Sequence, residues 1–487
     1  MLAFLVLAAV VAGWLGSSYI GRLSDHAGFW LVPLENTVGV PLVERPRRAV
    51  LIVVDGLRRD AAETMDVTRT LGAAGQCRVM NQGSWTVSRP VYATMSTGVE
   101  VDRSGVRNND DTSPLAAESI WQVARRSGWR VHGSSHLPWW KELFPDGFDA
   151  YATARDKSEN VFLAPLGELS LYHPLYVDEA GHHDGGFSRA YDAAVRRADR
   201  EIAGLLAHLD LERDLVVFTS DHGHLARGGH GGTQREVAEV LTCFAGPHVV
   251  RRTDRPTMSG QAMSAALSLF LGVPFPRHMR AGEDRLDEVF GIADLPDDYL
   301  ADRRATVERF RAASEATLAG WLGGAPGTWS RLYARERAHH DGRFAVAGIV
   351  LVIGLFLGIR REPARMWLWL LLSLVAIWVA HRLVLGPLEF SAINLKERFV
   401  PKAFAATFLA AGGATFAHRW TRRPFAPDQV TLVAVLLYLN VAHVPVFGWP
   451  LGFPLPSPSM RYVPFFLCFA AVGNAMIGLV ATLRRPR

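Results

Sequence analysis

Apolar positions along the chain fall into three kinds of run, and each predicts a different element. Ala49-Val50-Leu51-Ile52-Val53-Val54 is continuously apolar and ends in Asp55-Gly56, and Leu215-Val216-Val217-Phe218 runs straight into Thr219-Ser220-Asp221-His222-Gly223. Short unbroken runs of this sort predict strands buried on both faces of a parallel sheet. Residues 188–209 instead repeat apolar positions at helical spacing with charges between them, which predicts an amphipathic helix. Strands alternating with helices predict an α/β domain with a doubly wound sheet over residues 45–290. Ligands of such sheets bind beyond the carboxyl ends of the strands, where both polar clusters lie.

The third kind of run has membrane-spanning length. Residues 2–20 form one, predicting a transmembrane anchor over 1–21, with a signal peptide ending near Gly16-Ser17-Ser18 as the alternative. Five more follow at roughly 343–359, 366–385, 403–418, 429–447 and 462–483, predicting an α-helical transmembrane bundle over 342–487. Between them and the α/β domain, the charged segment 291–341 predicts a helical connector. Arg360, Arg361 and Arg365, then Arg419, Arg422 and Arg423, then Arg484, Arg485 and Arg487 fall on alternate ends of successive spans. The positive-inside rule puts all three groups in the cytoplasm, so the α/β domain is expected outside it. The expectation is a multi-pass plasma (inner) membrane protein with an extracytoplasmic domain.

Composition fits that division. Of 487 residues, 49% are hydrophobic and 20% charged, an average that hides segregation between the two parts. A net charge of +5 without a long basic run gives no footprint for nucleic acid. The three cysteines, Cys77, Cys243 and Cys468, form no C-x-x-C, and Cys77 and Cys243 could pair in an oxidising compartment.

Four patterns carry the candidate chemistry: V-V-D-G at 53–56, S-R-P-V-Y-A-T-M-S-T-G at 88–98, D-E-A-G-H at 178–182, and S-D-H-G at 220–223 with G-G-H-G-G at 228–232. Alone, each has an ordinary reading as a helix cap, a surface imidazole or a loop residue. Together, Asp55, Asp178, Asp221, His182, His222 and His230 offer oxygen and imidazole ligands without a thiolate. That mixture suits Zn²⁺ and tolerates Mn²⁺. With a hydroxyl nucleophile such a set is enough for two cations around a reacting phosphate.

In this order and at these separations the patterns resemble the alkaline phosphatase-like superfamily. They are most similar to its type I phosphodiesterase/nucleotide pyrophosphatase branch, which includes the glycosylphosphatidylinositol ethanolamine-phosphate transferases. The resemblance covers roughly residues 47–250. It implies that Asp55, Asp221 and His222 hold one divalent cation together with Ser88, that Asp178, His182 and His230 hold a second, and that both are Zn²⁺. It also implies that Ser88, two residues before Pro90, is the nucleophile and forms a phosphoseryl intermediate, with Thr86 as the alternative. The substrate it implies is a phosphate ester, lipid-linked or of the cell envelope, with membrane lipid as partner, and phosphoethanolamine-like transfer and simple hydrolysis stand side by side.

Departures from the family narrow this. Val91-Tyr92 stands where nucleotide pyrophosphatases have Asn-His, so a second donor to the phosphoryl oxygen must come from elsewhere or be absent, which disfavours nucleotide substrates. Tyr92 also stands where a sulfatase needs Arg. Asn109, in the turn-prone Asn108-Asn109-Asp110-Asp111, together with Tyr92 and His224, is a candidate substrate contact. The competing readings are a sulfatase-type hydrolase, a metal-free pseudoenzyme serving as receptor or scaffold, and a transporter. The last is disfavoured by the scarcity of charged residues within the apolar stretches.

Overall fold

The computed structural model describes residues 37–321, with breaks at 84, 110–111 and 280–286, and beyond them Ser391 alone. The apolar stretches at 2–20 and from 343 onward, with the transmembrane bundle and topology expected from them, lie outside the described residues. No described helix is long and apolar enough to cross a membrane.

The strands are β1 (Arg48–Val53), β2 (Gln76–Asn81), β3 (Val131–Ser135), β4 (Ala150–Thr153), β5 (Leu169–His173), β6 (Asp214–Thr219), β7 (Glu239–Ala245) and β8 (Thr257–Ser259). The main helices are α1 (Asp66–Ala74), α2 (Ser88–Thr97), α3 (Ile120–Arg126), α4 (Tyr176–Asp184), α5 (Arg189–Leu206), α6 (Met263–Leu271) and α7 (Asp297–Trp321). One sheet contains all eight strands in the order β4-β3-β5-β1-β6-β7-β2-β8. β1 lies at its centre, parallel to both β5 and β6.

The unbroken apolar run of β1 follows from that position. Ala49, Leu51 and Val53 enter the core on one face of the sheet, while Val50, Ile52 and Val54 enter the core on the other. Each such burial stabilises by roughly 1.5–3 kcal/mol for a full-sized aliphatic side chain. α2, α3 and α6 cover the first face through residues such as Met95, Trp121 and Leu269. α1 and α5 cover the second through Leu71, Val195, Ala198 and Ile202. α5 starts where the Ser188 side chain accepts the Tyr191 N–H and buries Tyr191, Val195, Ala198, Ile202 and Leu205, one helical stripe.

The sheet is mixed. β7 runs antiparallel to both β6 and β2. An antiparallel neighbour needs no crossover helix, so residues 220–238 can leave β6 and re-enter β7 on one edge of the sheet. That edge is the one where β1, β5 and β6 end.

Cys77 and Cys243 face each other in the β2–β7 ladder and form a disulfide. The first part of the segment expected as a connector packs into the domain: Tyr299, Val307 and Phe310 of α7 are buried in the first core, and the Tyr299 hydroxyl donates to the Leu269 carbonyl.

Candidate metal centre

Three neighbouring parallel strands end on one edge, and each delivers a ligand-type side chain just past its last residue. β1 delivers Asp55, β6 delivers Asp221 and His222, and the turn after β5 starts α4, which carries Asp178 and His182. Small residues make the approach possible. Gly56 has φ +69°, and a Cβ there would meet the Asp178 Cα at 2.7 Å. A Cβ at Gly181 would stand 2.4 Å from the His224 ring. The glycines of V-V-D-G and D-E-A-G-H therefore let strand end, helix and loop converge.

Three groups of ligand-type atoms result among the described residues, one of them Asp178, His222 and His224, and two of them made of the expected residues. In the deeper of these two, Asp55, Asp221 and His222 are fully buried. His222 Nε2 lies 3.5 Å from Asp55 Oδ1 and 3.3 Å from Asp221 Oδ2. The Asp221 Oδ1 atom accepts the Gly56 N–H, which leaves Oδ2 for the site. The Nδ1 of His222 is 3.2 Å from the Gly223 carbonyl. Donation there puts the lone pair on Nε2, the usual way a protein fixes the tautomer of an imidazole ligand.

In the outer group, Asp178 and His182 sit one helical turn apart, with Asp178 Oδ2 3.4 Å from His182 Nε2. His230 arrives from the glycine-rich loop between β6 and β7, and its Nε2 is 3.0 Å from that of His182. Its Nδ1 donates to the Thr86 carbonyl at 2.8 Å, so Nε2 again offers the lone pair. The rings of His222 and His230 stack at 3.7 Å, linking the two groups.

The residues fit divalent cations on their own evidence. Among the described residues, ligand atoms of Asp55, Asp221 and His222, and of Asp178, His182 and His230, lie within 4.8 Å of one another. Asp55 Oδ1 and Asp221 Oδ2 are buried without a hydrogen-bond partner, a costly state for a carboxylate unless a cation takes those atoms. Burial and the charge of Asp178 push Asp55 well above the carboxylate range. Burial and Asp55 push Asp221 up to about 7. For Asp178 burial acts in the same direction, but His182 and His224 outweigh it and hold the carboxyl well below its ordinary value. Burial, then His222, lowers His230 well below the histidine range, which keeps its imidazole neutral.

Ser88 is the first residue of α2, 3% exposed, with its Oγ 3.3 Å from His222 Nε2. Pro90 falls in the first turn, where its missing N–H is no loss. The Asn109 side chain lies over the same helix end, its Oδ1 accepting the Arg89 N–H at 3.0 Å. Thr86 is placed differently. Its hydroxyl donates to the Gly232 carbonyl at 2.8 Å and accepts the Gly231 N–H at 2.9 Å. These bonds fasten the His230 loop.

The two other candidate substrate contacts stand behind the ligands. Tyr92 is 0% exposed, stacks on Trp140 at 4.2 Å and donates its hydroxyl to Asp55 Oδ2 at 2.7 Å. His224 is also 0% exposed. Its Nδ1 accepts the Gly229 N–H, so its Nε2 carries a proton to Asp178 Oδ1 at 2.8 Å and cannot ligate a cation in that state. Both side chains are buried and engaged with Asp55 and Asp178, a placement that burial decides and a motif does not display. His173, the last residue of β5, was not singled out at all. A polar residue closing the apolar run Leu169-Ser170-Leu171-Tyr172, five residues before Asp178, was the available signal.

No protein-family profile matches the chain. It is 26% identical over 251 residues to GPI ethanolamine phosphate transferase 1 of Mus musculus, which covers 42% of this chain and 26% of that protein. Against GPI ethanolamine phosphate transferase 1 of Homo sapiens it is 25% identical over 346 residues, covering 57% and 35%. The chain resembles the GPI ethanolamine phosphate transferases. It spans about a quarter to a third of the length of these relatives. Solved structures also align with part of the chain. Murine ectonucleotide pyrophosphatase/phosphodiesterase 5 aligns with TM-score 0.43 and 12% identity, over 51% of this chain and 100% of that one. Alkaline phosphatase PafA aligns with TM-score 0.41 and 10% identity, over 49% and 98%.

Proposed function

We propose that this chain is a divalent-metal-dependent enzyme that transfers or hydrolyses a phosphate ester, with Ser88 as its nucleophile. The observation that carries the proposal is the position of the Ser88 hydroxyl: at a helix N-terminus, 3.3 Å from His222 Nε2, a nitrogen that faces the buried carboxylate oxygens without partners. Asp55, Asp221 and His222 with Ser88 would hold one cation, and Asp178, His182 and His230 the other. The nitrogen and oxygen donor set suits Zn²⁺. Bound there, the cations would supply the positive charge that favours a serine alkoxide and offsets charge on the reacting phosphate.

The chain's own groups define the rest. The positive end of the α2 dipole favours an anion. Asn109, oriented by its bond from Arg89 N–H, would turn its amide hydrogens to a phosphoryl oxygen, in place of the Asn that Val91-Tyr92 lacks. The Ser88 oxygen forms a bond to phosphorus as the leaving oxygen departs, giving a phosphoseryl-type ester. Water or an acceptor hydroxyl then displaces Ser88 from phosphorus and restores it.

The names of the relatives point to ethanolamine phosphate as the group transferred. The long apolar stretches outside the described residues support a membrane-embedded chain acting on a lipid-linked substrate. The Cys77–Cys243 disulfide supports an oxidising, extracytoplasmic location for the catalytic domain.

The test is to incubate the full chain with phosphatidylethanolamine vesicles and, separately, with an aryl phosphodiester, and to identify products by mass spectrometry. Release or transfer of a phosphate-bearing group, lost in Ser88→Ala, is expected. Turnover of sulfate esters in place of phosphate esters would overturn the reading.

A further inference from the structure

Asp55 has two unlike oxygens. Oδ1 faces His222 and has no hydrogen-bond partner. Oδ2 is surrounded: the Tyr92 hydroxyl lies at 2.7 Å and His173 Nε2 at 3.0 Å. Tyr92 and His173 also lie 2.8 Å apart. Proton positions follow from the neighbours. The Tyr92 hydroxyl gives its proton to Asp55, so His173 Nε2 faces two acceptors, a phenol oxygen and a carboxylate oxygen. Without a proton on Nε2, three sets of lone pairs would meet in a fully buried space. Nε2 therefore carries the proton, and His173 Nδ1 accepts. Its partner is the Ser135 hydroxyl at 2.8 Å, which itself accepts the Leu137 N–H. The chain runs in one direction: Ser135 to His173, then His173 and Tyr92 to Asp55.

These donors are held from separate elements. Tyr92 is on α2, the helix that begins with Ser88, and its ring is stacked on Trp140. His173 ends β5, and Ser135 ends β3. All three are buried at 1% exposure or less, so solvent cannot replace any of the bonds.

We propose that Tyr92 and His173 are positioning residues that occupy Asp55 Oδ2 and so make Asp55 a one-armed ligand, bound through Oδ1 alone. The inference rests on the reading of Asp55 as a cation ligand. A carboxylate free to rotate could chelate with both oxygens and draw the cation away from Ser88. With Oδ2 taken, the cation keeps a coordination position for the serine oxygen and the phosphate. Because Tyr92 rides on the helix that carries Ser88, ligand and nucleophile share one frame. Outer partners of this kind typically change metal affinity about 10–100-fold when removed.

The test uses Zn²⁺ alone as probe, titrated calorimetrically into the full chain after chelator treatment. Tyr92→Phe keeps the ring and its stack, and His173→Gln keeps a neutral side chain of similar reach. Each is expected to weaken one of two Zn²⁺ sites on the order of tenfold and to leave the other unchanged. Asp55→Asn is expected to remove that same site, and Tyr92→Phe added to Asp55→Asn is expected to change nothing further. Titrations of Tyr92→Phe and His173→Gln that match the unmodified chain, while Asp55→Asn loses a site, would overturn the positioning role and leave the ligand reading standing. An equal loss at both sites would also overturn it, since that marks a general packing defect. If Asp55→Asn itself binds two Zn²⁺ normally, the ligand reading falls with it. Should His173→Gln fail to fold, judged by its melting curve, Tyr92→Phe carries the test.

Discussion

The two halves of the centre are built from different material. Asp55, Asp221 and His222 project from the ends of central parallel strands, and their side chains are 0% exposed. Asp178, His182 and His230 project from a single turn of α4 and from a glycine-rich loop, and the His182 side chain is 32% exposed. In the first half, the Asp55 N–H bonds the Pro174 carbonyl, and Asp221 Oδ1 accepts the N–H groups of Gly56 and His222. In the second, one ligand is tied through Thr86 and another stands near solvent. On the proposed reading, the contrast teaches that the buried half would hold its cation more firmly than the half near solvent.

The largest effect should come from the residue shared by the chemistry of both halves. Ser88→Ala is expected to lower kcat by at least about a thousandfold while both cation sites persist, checked by turnover and elemental analysis on one preparation. Thr86→Ala, by contrast, should act mainly through the His230 loop and weaken the outer site. Full activity in Ser88→Ala with loss in Thr86→Ala would reverse the two assignments.

Next in size are the cations themselves. Two per chain are expected, with unequal exchange: dialysis against a mild chelator should strip the outer cation first, and His182→Asn should lose that cation alone. Asp221→Asn should lose the inner cation. Simultaneous loss of both at one chelator concentration would break the comparison.

Stability should register the clamp that brackets both halves. The disulfide joins β2, which leads to Ser88, to β7, which follows the His230 loop. It closes a loop with a sequence separation of 166 residues, and its loss in Cys77→Ser/Cys243→Ser is expected to cost about 2–5 kcal/mol, read from denaturant unfolding in the presence of saturating cation. An unchanged midpoint would show that packing of the two strands alone holds the frame.

The smallest effect serves as a control outside the centre. Burial alone would raise the Glu118 carboxyl, but Arg126 and Arg277 outweigh it and hold the value below the usual range. A carboxylate depressed on folding adds stability that is present above its unfolded pKa and lost as pH falls through the folded one. Glu118→Gln should therefore flatten the acid limb of the stability curve below about pH 4, measured by denaturant midpoints, without changing cation binding.

Much of this was legible in the sequence for physical reasons. Strands buried on both faces must be apolar throughout, so β1 and β6 stood out, and an amphipathic stripe marked α5 to within a few residues. Ligand chemistry restricted to Asp and His at strand ends drew attention to the residues that the fold then gathers. What was hidden depends on contacts through space. The reversed direction of β7 leaves no trace in Glu239–Ala245, because an apolar strand reads alike either way. The bonds of the Thr86 hydroxyl to the loop at 231–232 are likewise invisible in the motif. Tyr92 and His224 looked like substrate contacts because they adjoin the motifs, and only burial and hydrogen bonding place them behind Asp55 and Asp178. His173 lay in no motif at all.

The central claim is that Ser88 attacks phosphorus between these two halves, and trapping the ester tests it most directly. The full chain, loaded with Zn²⁺ and mixed with phosphatidylethanolamine vesicles, is quenched in acid during turnover and digested, and the peptide containing residues 86–90 is sequenced by mass spectrometry. The expected result is a phosphate-bearing adduct on Ser88, absent without cation and absent in Asp55→Asn. An adduct on Thr86, or steady turnover with Ser88 unmodified and Ser88→Ala active, would contradict the account.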